Sequence, residues 1–133
     1  LWGLAFKPDT DDMREAPSLT IVRELLAAGA RIRAFDPVVR PDVERLWGPG
    51  ADVTLAPDAH AAVEGASALL VVTEWREFRS PDFEALRAAM REAVLFDGRN
   101  LYDPALVASF GFEYAGIGRA ASLQAWQRTA LAA

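Results

Sequence analysis

The fold is decided by the stretch Ala68-Leu69-Leu70-Val71-Val72-Thr73 and by the segments that come after it in the chain. An uncharged run rich in β-branched side chains is typical of a strand that is buried on both faces of a sheet. A helical pattern from Pro81 to Arg91 comes next, behind a Ser80 cap, and Val94 to Phe96 is another short apolar run. This order predicts two parallel strands joined by a right-handed helical crossover.

The same alternation continues on both sides of this unit. Further strands are predicted at residues 1–6, 31–35, 52–55 and 112–115, and further helices at 41–47, 57–64 and 104–110. Another helix is predicted from Pro17, at its first position, to a Gly29 cap. Asp103 is predicted as the N-cap of the last helix, ahead of Pro104. The sequence therefore predicts an α/β fold, a doubly wound, Rossmann-like parallel sheet of about six strands with helices on both faces.

Composition excludes several classes of protein. With 133 residues, 52% of them hydrophobic, the chain can bury a core and is not a disordered segment. A net charge of −5 argues against nucleic acid as a partner, because such binding needs clustered positive charge. No cysteine is present, which excludes disulfides and fits a reducing cytoplasm. No apolar run approaches the roughly 20 residues of a membrane span. The chain starts within a predicted strand, so we expect it to be a piece of a longer protein.

Candidate binding residues follow the predicted strands. In doubly wound sheets, ligands bind beyond the carboxyl ends of the strands, where the strand order reverses. The residues expected there are Phe6-Lys7, Thr73-Glu74-Trp75 and Asp97-Gly98-Arg99-Asn100. Two cations and two aromatic rings suit a phosphorylated small molecule that carries a ring. The alternatives are that Lys7, the only lysine, is an ordinary surface residue and that the two rings simply pack.

A self-contained enzyme is hard to build from these residues. A dinucleotide-binding first turn needs a Gly-x-Gly-x-x-Gly pattern, which the chain lacks, so we expect no NAD in that position. The acidic residues between 9 and 15 lack the glycine and spacing of a calcium loop, so no metal site is predicted. They are interpreted as partners of Arg14 and Lys7. His60, the only histidine, lies away from the candidate loops and is interpreted as a surface residue.

Five blocks of sequence, in order, carry a family resemblance. They are Gly3-Leu4-Ala5-Phe6-Lys7-Pro8-x-Thr10-Asp11-Asp12-x-Arg14-Glu15-Ala16-Pro17, Phe35-Asp36-Pro37, Thr73-Glu74-Trp75-x-x-Phe78, Phe96-Asp97-Gly98-Arg99-Asn100 and Gly116-Ile117-Gly118-Arg119. Together they closely resemble the C-terminal, UDP-binding domain of the UDP-glucose/GDP-mannose dehydrogenase family, and within it the enzymes that act on UDP-glucose. The resemblance runs from residue 1 to about residue 119.

The resemblance implies a multidomain, cytoplasmic enzyme. Its members oxidise the C6 hydroxyl of the sugar to a carboxylate in two steps with NAD. The first domain binds NAD, a central helical domain carries the catalytic cysteine and makes the dimer, and the last domain binds the UDP part of the substrate. This chain has no counterpart of the cysteine, of the acid/base glutamate or of the NAD turn, so we expect it to be inactive alone.

Specific roles carry over only where residues match. The resemblance assigns Phe6, Lys7 and Arg99 to contacts with the UDP-sugar. It assigns Arg14 to a contact that reaches across to the NAD bound by the first domain. No catalytic residue is assigned within this chain.

Two further questions are left open by the sequence. The chain could instead be a non-catalytic assembly module in which Lys7 and Arg99 make structural ion pairs, or the same domain from a UDP-N-acetylmannosamine or GDP-mannose dehydrogenase. Residues 120–133 extend past the resemblance and are expected to form either a packed terminal helix or a disordered tail.

Overall fold

The structure is a computed structural model that describes residues 1–119. Helices and strands alternate as predicted. The helices are α1 (Pro17–Ala27), α2 (Val43–Trp47), α3 (Ala59–Val63), α4 (Phe83–Ala89) and α5 (Pro104–Ser109), and the strands are β1 (Ile32–Ala34), β2 (Val53–Leu55), β3 (Leu69–Val71), β4 (Val94–Asp97) and β5 (Glu113–Gly116). A short 3-10 helix, Arg76–Phe78, follows β3 and was not predicted. The extension predicted at residues 120–133 lies outside the described residues.

The strands form two parallel sheets, not the single sheet of about six strands that the sequence predicts. One sheet pairs β1 with β2, and the other has the order β3-β4-β5. Trp2 lies between them, with parallel bridges to Phe35 beside β1 and to Val71 in β3. The chain therefore forms β1 and β2 on one side of Trp2 first, and then β3, β4 and β5 on the opposite side.

The predicted first strand, residues 1–6, is reduced to Trp2 because of Gly3. The φ angle of Gly3 is 99°, a region that strand residues do not occupy. A Cβ atom at this position would lie 2.4 Å from the Cβ atom of Thr73, so no side chain fits. Beyond Gly3 the chain leaves the ladder, and the N–H groups of Leu4 and Ala5 donate to the Asp36 carboxylate, at 2.8 and 3.0 Å.

Helix ends follow the predicted chemistry with one exception. Pro17 occupies the start of α1, and the end of α1 is a Schellman motif in which Gly29 N–H donates to Leu26 O at 3.0 Å. The Asp103 carboxylate caps α5 as predicted. The predicted Ser80 cap of α4 is wrong: the Asp82 carboxylate accepts from Ala85 N–H at 3.0 Å. The helix therefore starts after Asp82, because that side chain satisfies an otherwise free N–H of the first turn.

The core is continuous beneath both sheets and is anchored by aromatic rings. Trp2 is 2% exposed and stacks on Phe78 with 4.9 Å between the ring centroids. Its indole N–H donates to Ala59 O at 2.9 Å, which ties α3 to the junction of the sheets. Phe83 of α4 contacts Tyr102 and Phe112 edge-on. Within residues 1–119, no helix has the length and hydropathy needed to cross a bilayer.

Candidate functional site

The loops that follow the parallel strands meet at one edge and are bonded to one another. Thr73, after β3, is fully buried, and its hydroxyl donates to Ala5 O at 2.5 Å. Gly98, after β4, donates its N–H to Val71 O at 2.9 Å. A Cβ atom on Gly98 would lie 2.8 Å from that same oxygen, so the close approach requires glycine. The loops that carry Lys7, Glu74 and Arg99 therefore lie side by side along the carboxyl edge, as predicted.

Asp36 is the buried anchor of the first of these loops. It is 0% exposed, and its carboxylate accepts five hydrogen bonds. The donors are the N–H groups of Leu4, Ala5, Val38 and Val39 and the indole N–H of Trp75. Asp36 therefore fixes the path of the chain directly ahead of Phe6 and Lys7.

Trp75 is a packing residue and does not present its ring to a ligand. It is 7% exposed, and its indole N–H donates to the Asp36 carboxylate at 3.0 Å. The packing alternative for this ring is therefore the right one. Of the two rings predicted at the edge, Phe6 alone is partly accessible.

Lys7 is exposed at the end of this loop. Its ammonium lies 5.4 Å from the centroid of the Phe6 ring, a cation–π contact that orients the side chain. Among residues 1–119, the ion pairs involve Arg14, His60 and Arg99, and none includes Lys7. Lys7 is therefore available as a cation to an incoming anion.

Arg99 borders a cleft of about 490 Å³ at the same edge, here called the Arg99 cleft. It is lined by Glu74, Arg79, Gly98, Arg99, Asn100, Leu101 and Ile117. Nε of Arg99 donates to the Glu74 carboxylate. This hydrogen bond lowers the pKa of Glu74 and raises that of Arg99, so both groups are charged at neutral pH. The cleft thus carries two guanidinium groups and one carboxylate.

The backbone of Arg99 is fixed by Asp97, which is 1% exposed. The Asp97 carboxylate accepts from the N–H groups of Arg99 and Tyr102, at 3.2 and 3.0 Å, and from the hydroxyl of Tyr114 at 2.6 Å. Burial raises the pKa of Tyr114, so its hydroxyl keeps the proton that it donates. Arg99 is therefore presented on a rigid support.

The last sequence block closes the far side of the cleft. The Asn100 amide donates to Ile117 O and accepts from Ile117 N–H, both at 2.9 Å. Arg119 donates to Tyr102 O at 2.6 Å and to the Tyr114 hydroxyl at 2.7 Å. Asn100 has a φ of 53°, which asparagine tolerates better than most residues. These contacts join the loop after β4 to the loop after β5.

Arg14 lies in a different place from Arg99. Its guanidinium makes hydrogen bonds of 2.7 to 3.1 Å to the Asp12 carboxylate, yet 89% of its side chain is exposed. These bonds lower the pKa of Asp12 to about 2. Arg14 borders a groove of about 880 Å³ that Arg40 and Arg45 also line. The interpretation of the acidic loop residues as partners of Arg14 is correct for Asp12.

The structure places the predicted residues at three points. Phe6 and Lys7 end one loop, Arg99 borders its cleft, and Arg14 borders a separate groove. Neither Phe6 nor Lys7 lines the Arg99 cleft, so a joint contact of Lys7 and Arg99 with one ligand stays a prediction. His60 is an exposed residue of α3, 3.9 Å from the Glu64 carboxylate and far in sequence from these loops.

Sequence reasoning missed the roles of two side chains in the structure of the candidate site. Glu74 was placed at the edge without a role, although an acid after β3 beside an arginine after β4 is a recognisable signal. Asp36 was noted within a sequence block, but three of its five donors, Leu4, Ala5 and Trp75, lie 31 to 39 residues away in the chain, so no local pattern reveals them.

Comparisons with known proteins cover most of this chain. The family model described as UDP-glucose/GDP-mannose dehydrogenase family, UDP binding domain, matches residues 1–104. The UDP-glucose 6-dehydrogenase of Pseudomonas aeruginosa is 55% identical over 122 residues, which cover 90% of this chain and 27% of that protein. That of Rhizobium meliloti is 44% identical over 117 residues, 88% of this chain and 26% of that protein. The chain thus spans about a quarter of the length of these relatives.

Solved structures show the same fold. An NDP-N-acetyl-D-galactosaminuronic acid dehydrogenase from Methanosarcina mazei matches 89% of this chain and 24% of its own, with a TM-score of 0.75 and 32% identity. A UDP-D-ManNAc dehydrogenase from Pyrococcus horikoshii matches the same shares, with a TM-score of 0.70 and 33% identity.

Proposed function

Because this chain belongs to the UDP-glucose/GDP-mannose dehydrogenase family, as its UDP binding domain, we propose that it serves an NAD-dependent UDP-glucose 6-dehydrogenase. The complete enzyme would convert UDP-glucose to UDP-glucuronate by a two-step oxidation at C6. Identity to the Pseudomonas aeruginosa relative, 55% over most of this chain, favours UDP-glucose over the sugars named for the solved structures, which are 32% and 33% identical.

The observation that carries the proposal is the Arg99 cleft at the carboxyl edge. Lys7 and Arg99 leave the sheet in neighbouring loops, so they can approach a diphosphate from two sides. Lys7 offers a compact charge and Arg99 a planar fork, which bind phosphate oxygens in different ways. Phe6, half-buried beneath Lys7, adds apolar surface next to the ligand.

NAD is the cofactor of the proposed enzyme, and it would accept hydride from the sugar when bound. In this chain Arg14 would contact NAD, and the geometry of its side chain fits that role. The guanidinium is oriented by Asp12 and remains 89% exposed, so it can reach a phosphate held by another domain. We assign the remainder of the NAD site to the preceding domain, because no glycine-rich turn is present here.

The proposal includes the arrangement of the complete protein. We infer a doubly wound, Rossmann-like domain with helices on both faces, supported by the helices that connect parallel neighbours such as β1 and β2 or β4 and β5. The partners proposed are a UDP-sugar and the remaining domains of a homo-oligomeric enzyme. A cytoplasmic location is proposed because the chain has no cysteine.

Titration of the chain with UDP tests this function. We expect UDP and UDP-glucose to bind and GDP to bind more weakly, measured by calorimetry. The full-length protein should reduce NAD with UDP-glucose and not with GDP-mannose or UDP-N-acetylmannosamine, whereas the isolated chain should produce no NADH. Absence of UDP binding by both proteins would instead support an assembly module, and turnover by the isolated chain would contradict the division of labour between domains.

A further inference from the structure

Glu74 is the one acidic side chain that lines the Arg99 cleft among the described residues. It follows β3, and its side chain is 23% exposed. Arg99 bonds to it directly, and the charge of Arg79 further lowers its pKa. Glu74 therefore interacts with both guanidinium groups of the cleft, with Arg99 through a hydrogen bond and with Arg79 through its charge.

The ion pair uses one particular nitrogen of Arg99. Within the described part of the chain, the bond to Glu74 engages Nε. A guanidinium presents its donors on separate edges, so a carboxylate on Nε leaves the edge formed by Nη1 and Nη2 for a second anion. The Asp97 carboxylate accepts from the backbone N–H of Arg99 at 3.2 Å, while Glu74 holds the guanidinium at Nε.

We propose that Glu74 is a positioning residue for Arg99, holding the guanidinium so that its Nη edge receives a phosphate of the nucleotide sugar. This inference rests on the proposed function. An arginine that is already held in place loses less rotamer freedom when a ligand binds. The carboxylate does not close the cleft to anions, because two guanidinium groups against one carboxylate leave one net positive charge.

The variant Glu74→Gln tests the proposal in the full-length dehydrogenase. Glutamine keeps the size of the side chain and an acceptor oxygen but removes the charge that holds Nε. We expect the dissociation constant for UDP to rise roughly three- to tenfold, which corresponds to the loss of an ordinary hydrogen-bonding interaction. The affinity for uridine, which has no phosphate, should stay unchanged. The Michaelis constant for UDP-glucose should rise with little change in kcat.

Controls separate positioning from other roles. Glu77→Gln makes the same charge change on an exposed residue of the 3-10 helix and should leave UDP binding as it is. In an Arg99→Ala background, Glu74→Gln should no longer weaken UDP binding, because there is no guanidinium left to orient. Glu74→Asp, which keeps the charge, serves as a second variant should Glu74→Gln reduce the stability of the enzyme.

The outcomes are distinguishable. Equal losses for UDP and uridine would mean that Glu74 is merely structural, and tighter UDP binding by Glu74→Gln would mean that it acts by repulsion. Either result overturns the proposal, as would wild-type UDP affinity in Glu74→Gln when Arg99→Ala binds weakly. Wild-type UDP affinity in Arg99→Ala itself would instead show that the phosphate does not bind in the Arg99 cleft. That result would contradict the proposed function of this edge of the sheet.

Discussion

The loop that carries Arg99 and the loop that carries Lys7 are supported in different ways. The backbone of the Arg99 loop is fixed, because the buried Asp97 binds the N–H of Arg99 and Gly98 packs against Val71 O. The side chain of Arg99 is held as well, because Glu74 pairs with the guanidinium. A ligand at Arg99 therefore meets a cation whose position is largely set before binding.

The loop from Lys7 to Arg14 is held near its two ends, where Phe6 N–H donates to Asp12 O at 3.0 Å and Asp12 pairs with Arg14. Asp36 fixes Leu4 and Ala5, but Lys7 itself is exposed and touches the Phe6 ring. We therefore expect the Arg99 half of the proposed phosphate site to stay in place and the loop from Lys7 to Arg14, here called the adjustable loop, to move when a ligand binds.

The largest expected effect is on folding and comes from the rigid side. Asp97→Ala leaves the Tyr114 hydroxyl and the Tyr102 N–H buried without their acceptor. We expect the free energy of unfolding to fall by about 3–5 kcal/mol, since each unsatisfied buried group costs about 1–3 kcal/mol. Asp11→Ala, on the exposed loop, should change it by less than about 0.5 kcal/mol. Urea denaturation of the two variants measures both values, and similar losses would mean that the loops do not differ as described.

The next effect is on ligand binding. Lys7→Ala and Arg99→Ala in the full-length enzyme should each weaken UDP and UDP-glucose binding about ten- to a hundredfold, which is roughly 1.5–3 kcal/mol for a charge-assisted contact. Stability should hardly change, because exposed basic residues contribute little to it. The double variant should lose less than the sum, since both cations share one diphosphate. Calorimetry decides, with Arg76→Ala as an exposed-arginine control; wild-type affinity in both single variants would contradict the site.

Much of the fold was predictable because its signals are local. Alternating apolar runs, the Asp103 cap and the Gly29 termination each lie within a few residues of the structure that they determine. The errors have physical reasons: Gly3 ends the first strand through a close contact with Thr73, and Asp82 competes with Ser80 as a cap. A close contact of that kind depends on a residue 70 positions away in the chain (73 − 3), so no pattern around Gly3 indicates it.

For the candidate site as well, the features with simple sequence signals were predictable and those that depend on distant residues were not. The parallel topology alone placed Phe6, Lys7 and Arg99 at one edge, because residues after parallel strands share that edge. Their roles toward UDP, and that of Arg14 toward NAD, stay predictions. The network beneath them was not predictable, since the partners that Asp36 and Glu74 find in other loops lie 25 to 39 residues away in the chain.

A smaller and more selective effect is expected from Arg14 on the adjustable loop. Arg14→Ala in the full-length enzyme should raise the Michaelis constant for NAD about tenfold or more, for the loss of one charge-assisted contact. The Michaelis constant for UDP-glucose should change much less, because Arg14 does not border the Arg99 cleft. Initial-rate kinetics measure both, and Arg23→Ala on the exposed face of α1 is the matched control. A larger rise in the Michaelis constant for UDP-glucose than in that for NAD would mean that Arg14 contacts the substrate instead.

The smallest effect is electrostatic and belongs to Asp12. Hydrogen bonds from the side chain and then from the backbone of Arg14 lower the Asp12 pKa to about 2. The pKa of Asp12 is lower in the folded chain than its ordinary value of about 3.9. The Asp12–Arg14 pair therefore stabilises the fold at any pH above about 3.9, and this stabilisation is lost as the pH falls from there through about 2. An NMR titration of the Asp12 carboxyl should therefore find its midpoint near pH 2. Arg14→Ala should move it only partway toward the ordinary value, since the backbone N–H at position 14 still donates at 2.8 Å, whereas Arg23→Ala should leave it unchanged. A midpoint that does not respond to Arg14→Ala would mean that Arg14 is not held by Asp12, and the adjustable loop would then carry two free cations instead of one.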